Sequence, residues 1–196
     1  MEALKRAIEQ QGVGIGSEIV KVDGFLNHRI DVKLMERIGH AFHEAFWEDA
    51  VDCILTVEAS GIAAALTTAQ AFGGIPVIFA KKGDRRNIGQ DVYAAQVYSF
   101  THQRMNTIHV SRPWLPKGTR VLIIDDFLAN GEAIEGLIDI AKQAECELVG
   151  AGVCIEKGFQ PGGRKLREQG VKLVSLAIVK AIEEGKIILA DETSWQ

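Results

Sequence analysis

Two adjacent carboxylates, Asp125 and Asp126, close the apolar run Val121-Leu122-Ile123-Ile124. The small-residue turn Ala129-Asn130-Gly131 follows them, and then Ile134, Leu137, Ile138 and Ala141 recur at the spacing of one helix face. The two halves of this stretch offer different chemistry. The first N–H groups of a helix lack intrahelical partners and, with the helix dipole, attract an anion. Small residues let the backbone close around a phosphate, and Gly131 is free to take a positive φ if the turn requires it. Carboxylates repel a phosphate; they suit sugar hydroxyls or Mg²⁺, which takes oxygen ligands. An apolar strand ending in two acids, then an anion-binding turn, is the pattern of a ribose 5-phosphate site. A bare Asp-Asp pair would more simply be a helix N-cap beside a solvated loop residue. It is the strand–turn–helix setting that favours the functional reading.

The elements around this stretch repeat the same grammar. Helical spacing of Leu34, Met35, Ile38, Ala41, Phe42, Ala45 and Phe46 predicts a helix over Lys33–Trp47. Val51–Val57 reads as a buried strand, broken by Glu58-Ala59-Ser60-Gly61, with helix composition from Ile62 to Phe72 and a strand over Ile75–Ala80. That order predicts parallel strands joined by a crossover helix. Lys81–Asp91 is polar and basic, and the segments Val92–Phe100 and Thr107–Val110 suit an antiparallel excursion. Leu148–Ile155 is another buried strand, and KLVSLAIV and KIIL are strands near the end. Alternating strands and helices predict an α/β fold with a mostly parallel central sheet flanked by helices. With no repeats or linker, residues 1–196 are expected to form a single domain.

Composition removes several function classes. A formal net charge of −4 disfavours a protein devoted to a nucleic-acid backbone, which needs excess Lys and Arg. No apolar stretch reaches the roughly 18 residues of a membrane span, and MEALKRAIEQQG has no apolar signal region. Cys53, Cys146 and Cys154 have no metal-ligand spacing, and core packing is their simplest role. A cytoplasmic protein is expected. His40 and His43 share a helix face without a third ligand, so a surface role is favoured over metal binding.

VLIIDDFLANGEA resembles the phosphoribosyl pyrophosphate (PRPP) motif of the type I phosphoribosyltransferases, with ANGEA in place of the usual Thr-Gly-Gly-Thr loop. VDGFLNHRID (Val22–Asp31), YSFT (Tyr98–Thr101) and IEKGFQPGGR (Ile155–Arg164) complete a resemblance to the bacterial xanthine phosphoribosyltransferases that covers nearly the whole chain. The resemblance implies the type I fold, with a small N-terminal hood over residues 1 to about 31 and a flexible loop from Gly83 to about Gln103. It implies that Ala129, Asn130, Gly131, Glu132 and Ala133 hold the 5-phosphate and that Asp125 and Asp126 hold the ribose. Without threonine hydroxyls, phosphate binding should lean on backbone amides and Asn130, and Glu132 must point away.

Glu58, Ala59 and Ser60, with Gly61, match the family's pyrophosphate loop, although Ser60 is equally plausible as a plain N-cap. Lys81 and Lys82 are expected to neutralise the pyrophosphate. Val20, Asn27, Phe127 and Lys157 are expected at xanthine: Asn27 reads the base edge as donor and acceptor, and Lys157 donates to the 6-oxo group. Taken alone, Lys157 would be a solvated strand-end lysine and Phe127 a core aromatic. The implied substrates are PRPP, with Mg²⁺ bound to it, and xanthine, in a homodimer. The rivals are a PRPP-sensing regulator of purine genes on the same fold, and a phosphoribosyltransferase preferring guanine or another purine. A dinucleotide oxidoreductase is disfavoured, since no G-x-G-x-x-G turn follows the first strand.

Overall fold

The computed structural model describes residues 1–83, 89, 91–99 and 104–191. After helix α1 (Glu2–Gln11), a small antiparallel ribbon, β1 (Val13–Ile15) and β2 (Ile19–Lys21), leads into a π-helical turn over Asp23–Asn27. Helix α2 (Val32–Ala45) starts where Asp31 accepts the Leu34 amide at 3.0 Å, a side-chain N-cap. The predicted strand–helix alternation then unfolds as β3 (Cys53–Val57), α3 (Gly61–Ala71) and β4 (Val77–Lys82). The excursion is a hairpin of β5 (Val92–Ser99) and β6 (Arg104–Ser111), in register from Val92↔Ser111 to Ser99↔Arg104. β7 (Arg120–Leu128), α4 (Glu132–Gln143), β8 (Glu147–Lys157), α5 (Gly162–Glu168), β9 (Leu173–Glu183) and β10 (Lys186–Leu189) follow.

The main sheet has the order β10-β9-β8-β7-β3-β4-β6-β5. The five strands β9-β8-β7-β3-β4 are mutually parallel, and the antiparallel β10 and the β6–β5 hairpin extend the two sides. Alternate strand residues feed two cores. Ile54, Leu122 and Ile124 pack under α1, α2 and α3, whereas Leu55, Val121 and Ile123 pack under α4 and α5. This three-layer α/β arrangement is the expected fold class.

The topology locates the site. From β3 the chain crosses through α3 to β4 on one side; from β7 it crosses through α4 to β8 on the other. The β3–β7 boundary is therefore a switch point, where open α/β sheets bind ligands beyond the carboxyl ends of their strands. β3 and β7 pair from Cys53↔Val121 only to Leu55↔Ile123, so a crevice opens beside Asp125. At the opposite end the two strands are clamped. Asp52 accepts the Arg120 amide at 2.8 Å and two guanidinium bonds at 2.9 and 2.6 Å. Those bonds pull the Asp52 carboxyl down to about 2, so its contribution is present above the ordinary Asp range and is lost as pH falls through that value.

Two expected boundaries move. The strand expected to end at Ile124 continues to Leu128, because β8 supplies ladder partners as far as Leu128↔Glu156. The segment expected as a flexible loop, Gly83 to about Gln103, contains β5; residues 84–88, 90 and 100–103, including the end of the YSFT motif, lie outside the described residues.

The α2–α3 layer on the sheet contains one very close backbone approach. Gly39 of α2 lies against α3 such that a Cβ there would stand 2.5 Å from the Thr67 carbonyl carbon. Backbone cannot rotate aside as a side chain can, so Gly39→Ala is expected to lose about 1–3 kcal/mol of stability, the usual cost of overpacking, measured by urea denaturation.

Candidate active site

Asp125 and Asp126 lie at the mouth of the crevice, 5% and 7% exposed, an unusual setting for two neighbouring carboxylates. Asp125 accepts the Asp126 amide at 2.9 Å. Burial pushes its carboxyl well above the usual range, the Asp126 charge pushes the same way, and Lys82 partly opposes them. Gly61, the first residue of α3, presses against it: a Cβ there would lie 2.5 Å from Asp125 Oδ1. Only glycine leaves that acid its place.

Asp126 joins three separate segments. Ser60 Oγ donates to Oδ1 at 2.9 Å, and Asn27 Nδ2 donates to Oδ2 at 3.1 Å. The alternatives for Ser60 are thereby separated. It occupies the N-cap position of α3, but its hydroxyl makes no capping bond and goes to Asp126 instead. Asp126 Oδ2 accepts here, so the amide nitrogen of Asn27 faces it. The remaining N–H and the Oδ1 of Asn27 are left for a ligand edge.

The turn after β7 has the predicted form. Gly131 adopts φ +100° at the N-cap of α4, a conformation open to glycine at little cost. Glu132 is the first helical residue; burial raises its pKa, while its own backbone amide acts in the opposite direction. Ala129, Asn130 and Ala133 are half-buried around this turn.

Opposite, the Glu58-Ala59-Ser60 loop connects β3 to α3 and contains a cis peptide between Glu58 and Ala59. Glu58 accepts the Lys82 amide at 2.5 Å, which ties this loop to the end of β4. The two expected lysines separate. The Lys82 charge reaches Asp125, whereas Lys81 lies with Nζ 5.9 Å from the Phe79 ring centroid and lines a groove with Phe79, His109 and Trp114.

At the hood, Lys157 is the last residue of β8 rather than a residue beyond it, because β9 pairs as far as Lys157↔Val179. It donates to the Glu18 carbonyl at 2.8 Å and lies 6.0 Å from the centroid of the half-buried Phe127 ring. Burial lowers its pKa, against the charge of Glu18. Val20, expected at the base, is 8% exposed and packs in the core with Val22, Phe25 and Leu26, so its side chain supports the hood from beneath.

Sequence reasoning missed a third buried carboxylate. Glu156, 4% exposed, accepts from Arg167 at 2.9 and 2.6 Å and from Ser175 Oγ at 2.5 Å. The only local signal was its place inside IEKGFQPGGR; nothing nearby in sequence marks Ser175.

The crevice beyond β3 and β7 thus stands between two backbone loops, with Asn27 reaching Asp126 from the N-terminal segment. The phosphoribosyl transferase domain matches residues 26–185. This chain belongs to the phosphoribosyltransferase family. It is 49% identical over 187 residues to the xanthine phosphoribosyltransferases of Clostridioides difficile (strain 630) and Laribacter hongkongensis (strain HLHK9), covering 95% of this chain and 98% of each relative. Among solved structures, the adenine phosphoribosyltransferase of Rhodothermus marinus DSM 4252 superimposes with a TM-score of 0.72 at 22% identity, covering 91% of this chain and 97% of that one. That likeness is one of fold.

The buried acid makes a prediction that needs no substrate. A carboxyl whose folded pKa is raised ionises first in the unfolded chain, so it costs stability as pH rises from about 3.9 toward its folded value. Asp125→Asn removes this cost. The variant is expected to be more stable than the unmodified protein at pH 7, with the gap closing toward pH ~4, as urea midpoints against pH will show.

Proposed function

We propose that the protein is a xanthine phosphoribosyltransferase: it transfers the 5-phosphoribosyl group of PRPP to N9 of xanthine, giving xanthosine 5′-monophosphate and pyrophosphate. The observation that carries this reading is the meeting of three segments at Asp126, with Asn27 from the hood and Ser60 from the pyrophosphate loop on its two oxygens. The names of the relatives support xanthine as the base.

In this reading the 5-phosphate occupies the amides of Ala129–Ala133, and Asp125 and Asp126 bracket the ribose. The C1′–O bond to pyrophosphate breaks as the N9–C1′ bond forms, and N9 gives up its proton to solvent. Charge at C1′ becomes positive on the way, and Asp126 favours that state. Backbone groups of Glu58, Ala59 and Ser60 take the departing pyrophosphate, with Lys82 as the nearer counter-charge and Lys81 at the outer rim. Asn27 and Lys157 read the base edge, and Phe127 lies against its face. A base lacking the matching group leaves these polar partners unpaired, which is a strong basis for rejection.

Mg²⁺ belongs to the substrate side of this scheme. Asp126 already has a donor on each oxygen and Asp125 is pushed toward its neutral form, so the cation would be held mainly by the diphosphate and ribose oxygens of PRPP. It would neutralise the leaving group there. A homodimer working in cytoplasmic purine salvage completes the reading. Among the described residues, no helix is long and apolar enough to cross a membrane.

Pyrophosphate release with PRPP, Mg²⁺ and each of xanthine, guanine, hypoxanthine and adenine tests the proposal. Xanthine is expected to turn over fastest; no turnover with any base overturns the enzyme reading and leaves the regulator. Asp126→Asn is expected to lower kcat about 10²–10³-fold, the scale of losing one preorganised electrostatic partner. Lys157→Ala is expected to change the order of base preference, and an equal loss for all bases would remove Lys157 from that role.

A further inference from the structure

The motif Ile155–Arg164 enters the scheme above through Lys157 alone, and its two adjacent glycines have no part in it. We infer that the start of α5, braced by the fork of Arg167 on the buried Glu156, is a buttress that holds the Ala129–Gly131 turn with its amides toward the ligand. Gly162, Glu156 and Arg167 are then positioning residues for the 5-phosphate. The inference rests on the reading of that turn as the phosphate loop.

The contact between α5 and the turn is backbone to backbone. The Gly162 amide donates to the Ala129 carbonyl at 3.1 Å. In a trans peptide the carbonyl and the following N–H point in opposite directions. Holding the Ala129 carbonyl toward α5 therefore sends the Asn130 N–H the other way, into the cradle. Gly162 lies so close that a Cβ would stand 2.8 Å from Gly131 N and 2.8 Å from the Asn130 carbonyl carbon, and nearer still to the Ala129 oxygen. These are all main-chain atoms, so no rotamer change makes room.

The second glycine has a separate partner. A Cβ on Gly163 would fall on the Glu156 carboxylate and 2.7 Å from Arg167 Nη1. Glu156 is buried and takes two guanidinium bonds from Arg167 and one hydroxyl bond from Ser175. A buried carboxylate stripped of its partner is costly, so α5 has one favourable seat on β8 and β9. Lys165 of the same helix and Gln169 at its C-cap bond Glu135 of α4 at 2.8 and 3.1 Å, which fixes α5 against the helix that follows the turn.

β8 thereby serves both substrates with consecutive residues. Side chains alternate across a strand. Lys157 faces Phe127 and the hood, and Glu156 faces α5 and, through it, the phosphate turn.

The test compares Gly162→Ala, Arg167→Met and Arg167→Lys with the unmodified protein. Readouts are ribose 5-phosphate affinity by calorimetry, KM for PRPP and for xanthine, and melting temperature. Gly162→Ala is expected to weaken ribose 5-phosphate and raise KM for PRPP by about tenfold or more, the scale of losing a phosphate hydrogen bond. KM for xanthine should stay within about twofold, a shift of under half a kcal/mol. Arg167→Met should act in the same direction, and Arg167→Lys, which keeps the charge without the fork, should recover part of the loss. Unchanged ribose 5-phosphate affinity in folded Gly162→Ala, or equal rises in both KM values tracking lost stability across all three variants, overturns the inference. If the unmodified protein itself fails to bind ribose 5-phosphate, the phosphate-loop reading falls, and this inference with it.

Discussion

The rest of the site depends on keeping two neighbouring carboxylates out of water in two different surroundings. Asp125 and Asp126 are on consecutive positions of β7, so their side chains leave the strand toward different surroundings. Asp125 meets the backbone of α3 and carries a raised pKa; Asp126 meets donors from Ser60 and Asn27. Those environments differ because β7 lies at the switch point. β3 stops pairing two residues before Asp125, while β8 continues to Leu128↔Glu156. A carboxylate pair in the middle of a fully paired sheet would have neither the crevice nor the donors.

Around that pair, glycines act as spacers between rigid parts. Gly61 gives Asp125 its place, Gly131 turns the chain into α4, and Gly162 and Gly163 admit the Ala129–Gly131 turn and the Glu156 carboxylate. Only Gly131 needs a positive φ; the others are required by close approach, a distinction invisible in their letters alone. The departure of ANGEA from the threonine-bearing loop follows the same logic. In the proposed reading, a turn without hydroxyls relies on main-chain donors, and the Gly162 amide on the Ala129 carbonyl holds one of their peptide planes from behind.

The hood illustrates coupling through a shared partner. Asn27 contacts Asp126, and Lys157 contacts the Glu18 carbonyl between β1 and β2, so the groups proposed to read the base already bond to the catalytic strand and to the hood ribbon. In the proposed reading, a group that reads the base and a group of the pyrophosphate loop meet on one carboxylate, Asp126.

Much was legible in the sequence because it was local. The β3–α3–β4 unit, the parallel sheet and the helix after Gly131 followed from periodicity and from the punctuation of acids and glycines, which act within a few residues of themselves. The four separated motifs carried the family and the general place of the site. Beyond reach were contacts spanning long sequence separations: Ser60 with Asp126, Glu156 with Ser175, Gly162 with Ala129, and the descent of Val20 into the core. Sequence records which groups are available and their local spacing. Which acceptor a given hydroxyl or guanidinium finds is decided only when the sheet order brings β3, β7, β8 and β9 side by side, because hydrogen bonds act over about 3 Å and nothing in a single segment reaches that far.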